Sequence, residues 1–313
     1  MGKKKFTGVS QFLARFRGWI QAGAALLTNL HLPNFLKGGL YQGAGKTVCV
    51  PGLNCYSCPA ASGACPIGAF QAVVGSSKFS FSYYITGILI LLGVLLGRFI
   101  CGFLCPFGWF QELLHKIPSR KLSTRKLKPL RYLKYAILLV MVFLLPAFLV
   151  NDVGMGDPFF CKYLCPQGVL EGAIPLSLAN SGIRAALGSL FTWKLGILLV
   201  VIVLSVLFYR PFCKWICPLG AFYALLNKVS LVQMKVDQSK CISCGKCARA
   251  CKMDVDVTKS PNHTECIRCG MCVRACPTNA VHFRCGFGTG KQGTVLPEKT
   301  NKQMNDIVKE KKS

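Results

Sequence analysis

Two stretches near the C-terminal end of this chain repeat one arrangement of thiols. Cys241-Ile-Ser-Cys244-Gly-Lys-Cys247-Ala-Arg-Ala-Cys251 and Cys266-Ile-Arg-Cys269-Gly-Met-Cys272-Val-Arg-Ala-Cys276-Pro277 both read C-x2-C-x2-C-x3-C. Eight thiolates at this spacing suit two [4Fe-4S] cubanes, the fourth cysteine of each run ligating the other run's cluster. The expected sets are Cys241, Cys244, Cys247 and Cys276 for cluster 1, and Cys266, Cys269, Cys272 and Cys251 for cluster 2. Zinc sites instead pair two C-x2-C units across a longer loop. One-electron chemistry is therefore expected of this segment.

A second repeat lies upstream. Cys65-Pro-Ile-Gly, Cys105-Pro-Phe-Gly, Cys165-Pro-Gln-Gly and Cys217-Pro-Leu-Gly share C-P-x-G, and the last three carry a cysteine four residues earlier, at Cys101, Cys161 and Cys213. In the first copy that partner is displaced to Cys58, within a group that also holds Cys49 and Cys55. Proline after cysteine suits the first turn of a helix, where its missing N–H costs nothing. The free N–H groups and positive dipole end of such a helix would face a thiolate. Two thiols cannot complete a cubane, so the pairs must combine. Cys101, Cys105, Cys213 and Cys217 form an expected inner site for a third [4Fe-4S] cluster. Cys58, Cys65, Cys161 and Cys165 form an outer one for a fourth, with Cys49 and Cys55 as alternatives. Disulfides remain open for the outer six if they face an oxidising space.

The elements that hold these motifs are read from composition. The chain is 52% apolar yet carries a net charge of +27, and its mean hydropathy is +0.43. Charge and oil must be segregated, as a bilayer does. Nineteen cysteines are too many for an ordinary cytosolic enzyme unless they bind metal, and the chain is too long and apolar for a small disulfide scaffold. The expected fold is an α-helical membrane protein of about four transmembrane helices, at 18–36, 83–99, 135–150 and 190–209. A membrane domain over 1–230 is followed by a small α+β domain over 231–285 and a disordered tail over 286–313. Nine basic residues against Glu112 between Arg98 and Lys134, and two against three acids between Asn151 and Trp193, put the first loop inside and the second outside. Both termini then fall on the cytoplasmic side of a multi-pass protein in the cell membrane. Gly168 to Leu176 and Gly220 to Leu226 are short enough to re-enter the membrane.

At the paired C-x3-C-P motifs beside apolar helices, followed by the two-cluster segment, the chain resembles the membrane polyferredoxins that accompany periplasmic nitrate and nitrous-oxide reductases, the NapH-like and NosR-like proteins. The resemblance covers about Tyr83 to Phe283 and gives the C-terminal domain a bacterial-ferredoxin-like fold. It implies an electron-transfer component, without a substrate site of its own, between a cytoplasmic carrier and a membrane or outer redox partner. The chain departs from the pattern in its third C-x3-C-P at Cys161, in the outer segment Asn54-Cys-Tyr-Ser-Cys-Pro, and in Lys252, which stands where proline would follow the first run. Ten basic residues against four acids from Lys228 to Arg284 would steer an acidic soluble carrier such as a ferredoxin or flavodoxin. A quinone or an outer redox enzyme is the partner expected beyond the clusters. Membrane insertion explains the rest of the positive charge without nucleic acid. The alternative reading is a redox sensor or an assembly factor delivering metal or cofactor to an outer enzyme. Gly43 to Thr47 lacks the first glycine of a phosphate loop. His31 and His115 read as polar surface, and Cys285 as a packed small side chain.

Overall fold

The computed structural model describes residues 2–76, 82–152 and 155–286. Most of it is helical. Two helices are long and apolar enough to cross a membrane, Leu127–Phe148 with 22 residues and Ser189–Leu207 with 19. At 1.5 Å per residue they reach about 33 and 28 Å, against a hydrocarbon core of about 30 Å. Only 28% and 17% of these stretches is buried inside the protein, so their apolar surface points outward, where lipid would cover it.

Elsewhere the expected spans differ from the helices found. Tyr83–Leu95 has only 13 residues. It ends because the chain turns at Gly97 (φ +55°), where a Cβ would stand 2.8 Å from the Arg268 guanidinium. The expected span over 135–150 begins earlier, at Leu127. No continuous helix covers 18–36. Instead α1 (Gly2–Thr28) ends eight residues short of that range's far end. The reason is polarity on its inner face. Arg17, Gln21 and Thr28 are buried there, with the Arg17 guanidinium donating to the Gly102 carbonyl at 3.0 Å. The first half of α1 packs on the C-terminal unit, where the Ser10 hydroxyl accepts the Phe283 N–H at 3.0 Å.

The C-terminal unit pairs β1 (Val232–Val236) antiparallel with β2 (Val281–Cys285), Val236 opposite Val281. The short helices Lys246–Ala250 and Met271–Ala275 carry the third cysteine of each run, Cys247 and Cys272. Met234, Val257, Val273 and Phe283 fill its core together with Ala14 and Phe103 of the preceding part. Its backbone repeats as its sequence does. Ser243 and Arg268, Gly245 and Gly270, and Asp254 and Asn279 occupy the left-handed region in pairs 25 positions apart. Cys285 ends β2 and is exposed, not packed as expected, because nothing beyond the strand covers it among the described residues. The expected tail, apart from Gly286, lies outside the described residues.

Four helices start at the C-P motifs or just after them: Pro66–Gly75, Pro106–Leu114, Gly168–Ala179 and Pro218–Leu226. The Pro218 helix packs against the Pro66 helix, Tyr83–Leu95 and the long helix from Leu127, so it lies inside the helical part. Two buried carboxylates join that part to the C-terminal unit. Glu265 meets Arg98 and Lys134, and Asp254 meets Lys214 and Arg131.

Candidate iron–sulfur centres

The ferredoxin-type runs bring their thiols together in the two expected groups. Cys241, Cys244, Cys247 and Cys276 line one cavity with Ile242, Ser243 and Thr278. Cys272 lies within electrostatic reach of Cys266, Cys269, Cys251 and also Cys247, so the two groups adjoin. Matching amides serve the fourth cysteine of each run. Val255 N–H donates to Cys251 Sγ at 3.4 Å and Ala280 N–H to Cys276 Sγ at 3.3 Å, again 25 residues apart. Among the described residues no three histidine, cysteine or carboxylate side chains converge on a single ion.

The inner four also assemble. Cys217 interacts with Cys213, Cys101 and Cys105. Burial first, then repulsion from Cys213 and Cys101, pushes the Cys105 thiol up to about 12. Four buried thiols cannot ionise together unless positive charge neutralises them, which the iron of a cluster would do. The helix starts supply part of that charge. Cys105 and Cys217 occupy the N-cap positions before Pro106 and Pro218, and Gly220 N–H donates to Cys217 Sγ at 3.4 Å. Two fully buried arginines supply more. Arg210 donates to the Cys101 carbonyl, and Arg98 to the Cys213 carbonyl at 3.4 Å. The Arg210 guanidinium leaves least room at the glycine of Cys105-Pro-Phe-Gly108. A Cβ at Gly108 would stand 3.0 Å from the Arg210 guanidinium, and one at Gly220 3.4 Å from that of Arg98.

In the outer group Cys55, not Cys58, stands with the other three. Cys161 interacts with Cys165, Cys65 and Cys55, and Cys165 with Cys65 and Cys55. Cys55 Sγ is 3.7 Å from where a Cβ on Gly168 would lie, one turn after Cys165. Cys58 is turned away into a separate small core with Ala60 and Ala61, its thiol 3.6 Å from Asn29 Oδ1. The preference for Cys58 followed sequence spacing, and the loop reverses it by folding Cys55 N–H onto Glu171 at 3.1 Å. Cys49 is buried, paired by a backbone bridge to Ala64 and within reach of Cys65. Among the described residues no disulfide joins any of these cysteines.

Inner and outer groups were expected at opposite interfaces, yet they adjoin. Tyr223 lies within electrostatic reach of Cys101 and Cys105 of the inner group and of Cys65 of the outer one, and in the loop beside it a Cβ on Gly52 would stand 2.8 Å from Cys105 Cα. Tyr223 OH holds this loop by donating to the Pro51 carbonyl at 3.1 Å. On its other side the inner group touches cluster 2's run. A Cβ on Gly102 would stand 2.3 Å from the Ile267 carbonyl oxygen and 3.7 Å from Cys269 N.

Polar residues seven positions into each C-P segment escaped the sequence reading. Gln71, Gln111, Glu171 and Tyr223 all reach across to another cysteine-bearing segment. The signal was present, since the first two copies share C-P-x-G-x-F-Q, and Arg98 and Arg210 both stand three residues before a C-x3-C-P. The weaker motifs have ordinary partners. Lys46 donates to the Tyr56 carbonyl, and His115 Nδ1 is 3.3 Å from the Ser205 carbonyl oxygen. His31 stacks on Tyr41.

Comparison with known proteins agrees with this geometry. One model described as a 4Fe-4S binding domain matches residues 63–84, 80–125, 134–174 and 190–237, and a second of the same description matches 234–255 and 260–282. An uncharacterised protein of Methanocaldococcus jannaschii is 28% identical over 55% of this chain and 66% of its own length. The methylamine utilization ferredoxin-type protein MauN of Methylorubrum extorquens is 27% identical over 61% of this chain and 56% of its own. The ferredoxin-type protein NapH of Haemophilus influenzae is 26% identical over 56% and 54%. The chain thus spans less than two thirds of each of these relatives. No solved structure matches. With cysteine runs, helix starts and domain matches in agreement, the chain belongs to the ferredoxin-type polyferredoxin family of 4Fe-4S proteins.

Proposed function

We propose that this chain is a membrane electron-transfer protein holding four [4Fe-4S] clusters in series. Cys241, Cys244, Cys247 and Cys276 hold the first. Cys266, Cys269, Cys272 and Cys251 hold the second. Cys101, Cys105, Cys213 and Cys217 hold the third, and Cys55, Cys65, Cys161 and Cys165 the fourth. When bound, such clusters supply one-electron transfer at potentials set by charge, hydrogen bonds and burial. The observation that carries the reading is the adjacency of the two groups around Tyr223, which lies within reach of Cys101 and Cys105 of the inner group and of Cys65 of the outer. It makes unnecessary a slow surface-to-surface hop across a ~30 Å core.

The protein's own residues do the rest. Arg98 and Arg210 offset negative charge at the inner group, and the packed helices around it exclude water. The long apolar helices Leu127–Phe148 and Ser189–Leu207 anchor the chain in the cytoplasmic membrane, with both termini inside. Cluster 1 is the port for a soluble carrier. Ile242 is 64% exposed beside it, and Lys240, Lys246 and Arg249 are exposed around it. Asp254 and Glu265 are meanwhile consumed by ion pairs to the helical part. An acidic ferredoxin or flavodoxin fits this face, and the outer group faces a quinone or an outer redox enzyme.

The test combines composition and direction. Anaerobically purified protein should hold about sixteen irons, at four per cubane. Sealed proteoliposomes given reduced ferredoxin on the C-terminal side should reduce an impermeant acceptor trapped opposite. Full iron with no transfer would sink the series arrangement and favour a sensor.

A further inference from the structure

Gln71 and Gln111 are both fully buried and make the same three contacts in two different places. Gln71 Nε2 donates to Cys161 Sγ at 3.2 Å and to the Ile67 carbonyl at 3.3 Å, and its Oε1 accepts the Phe160 N–H at 2.9 Å. Gln111 Nε2 donates to Cys213 Sγ at 3.1 Å and to the Phe107 carbonyl at 3.4 Å, and its Oε1 accepts the Phe212 N–H at 3.2 Å. The backbone amide fixes which end of each side chain faces the sulfur. A peptide N–H can only donate, so the amide oxygen must turn to it and the NH2 to the thiol.

We infer that Gln71 and Gln111 are a matched pair of positioning residues that raise the reduction potentials of the outer and inner clusters. Adding an electron to a cluster held by four thiolates increases the negative charge on sulfur, and a donor aimed at that sulfur stabilises the reduced form more than the oxidised one. Each glutamine is locked at its oxygen and by its own helix, so its N–H needs no reorganisation when the electron arrives. Cys161 and Cys213 are equivalent members of the two C-x3-C-P pairs. One device therefore serves both sites, and the potentials of neighbouring clusters are kept in step.

This inference rests on the four-cluster reading, and the experiment separates the two. The full chain is titrated by EPR-monitored reduction, with iron measured on each sample. Gln71→Leu should shift only the outer signal and Gln111→Leu only the inner. In each case the reduced-to-oxidised ratio at fixed potential should fall about tenfold, which is about 59 mV downward for a one-electron couple. Gln→Glu at either position keeps the acceptor for the peptide N–H but replaces the donor with negative charge, and should shift the same signal further down. Full iron with ratios within threefold of wild type in all variants would overturn the inference. If a variant sheds its cluster, wild-type protein carrying amide-15N glutamine decides. A 15N hyperfine coupling to both reduced clusters supports the pair, and its absence overturns it. Wild-type protein without iron in its helical part would overturn the underlying reading instead.

Discussion

Glu265 offers the sharpest perturbation, because one carboxylate joins the ferredoxin-type unit to the helical part. Its two oxygens each lie 2.6 Å from Lys134 Nζ, and Arg98 Nη1 is 3.0 Å away. The Arg98 and Lys134 side chains are fully buried and that of Glu265 is 5% exposed. Burial alone would push the Glu265 pKa up, but Arg98 and Lys134 more than reverse this and hold it at about 2. Glu265→Gln leaves two buried cations without their counter-charge. Breaking a pair of this kind costs about 3–5 kcal/mol, and even 3 kcal/mol raises the detached population roughly 150-fold. Hydrogen exchange in nanodiscs reads this opening at Ile267 to Cys269 and at Gly97 to Phe103, which meet across the joint. Exchange there should accelerate about a hundredfold while iron in the inner group is retained. A carboxyl with a lowered pKa contributes stability that is fully present above its ordinary value of about 4.5 and is lost as pH falls through about 2. The Glu265 contribution to wild-type closure should therefore be constant above about pH 5 and fall only as the carboxylate is protonated in acid. Acceleration below fivefold in the variant, with iron intact, would refute the argument that this carboxylate carries the docking.

Cys55→Ser should lose four irons and Cys58→Ser none, and the reverse outcome would restore the spacing-based assignment. Cys105→Ser and Cys217→Ser should each lose the same four irons, and the double variant no more; eight lost by the double would mean separate sites. Gly102→Ala drives a Cβ to 2.3 Å from the Ile267 carbonyl oxygen, where backbone must move. It should loosen the joint by about 1–3 kcal/mol on the same exchange measurement. Gly18→Ala, with open space around it, should not, and equal behaviour of the two would refute the close approach. Reduction by an acidic ferredoxin should slow steeply as salt rises, since exposed charges are screened beyond about 8 Å at physiological ionic strength; rates independent of salt would exclude that class of partner.

Cysteine spacing by itself determined the family and the grouping of most thiols. The two ferredoxin-type runs could be grouped from sequence because three cysteines of each group sit within seven residues and the crossing of the fourth belongs to the spacing itself. The spacing repeats in the backbone at Ser243 and Arg268, and at Gly245 and Gly270. The C-P motifs likewise announced helix starts, since proline after a capping cysteine is a local rule. The long-range choices belonged to the tertiary structure. A count of residues favours Cys58 as the mirror of the C-x3-C pairs, yet the loop through Pro51 to Cys55 is set by Tyr223 and by Glu171. Those partners lie more than a hundred residues away. Hydropathy placed the helices near Leu127 and Ser189 but assigned the segment 18–36 to the membrane. A window average cannot see that Arg17 and Gln21 are buried on the inner face of α1 and that Arg17 is bonded to the Gly102 carbonyl across the fold. Charge counting put the inner and outer groups on opposite sides. Whether a membrane core of ~30 Å separates them or they adjoin depends on helices that turn back into the core, and that is decided by packing between segments and not by any one of them.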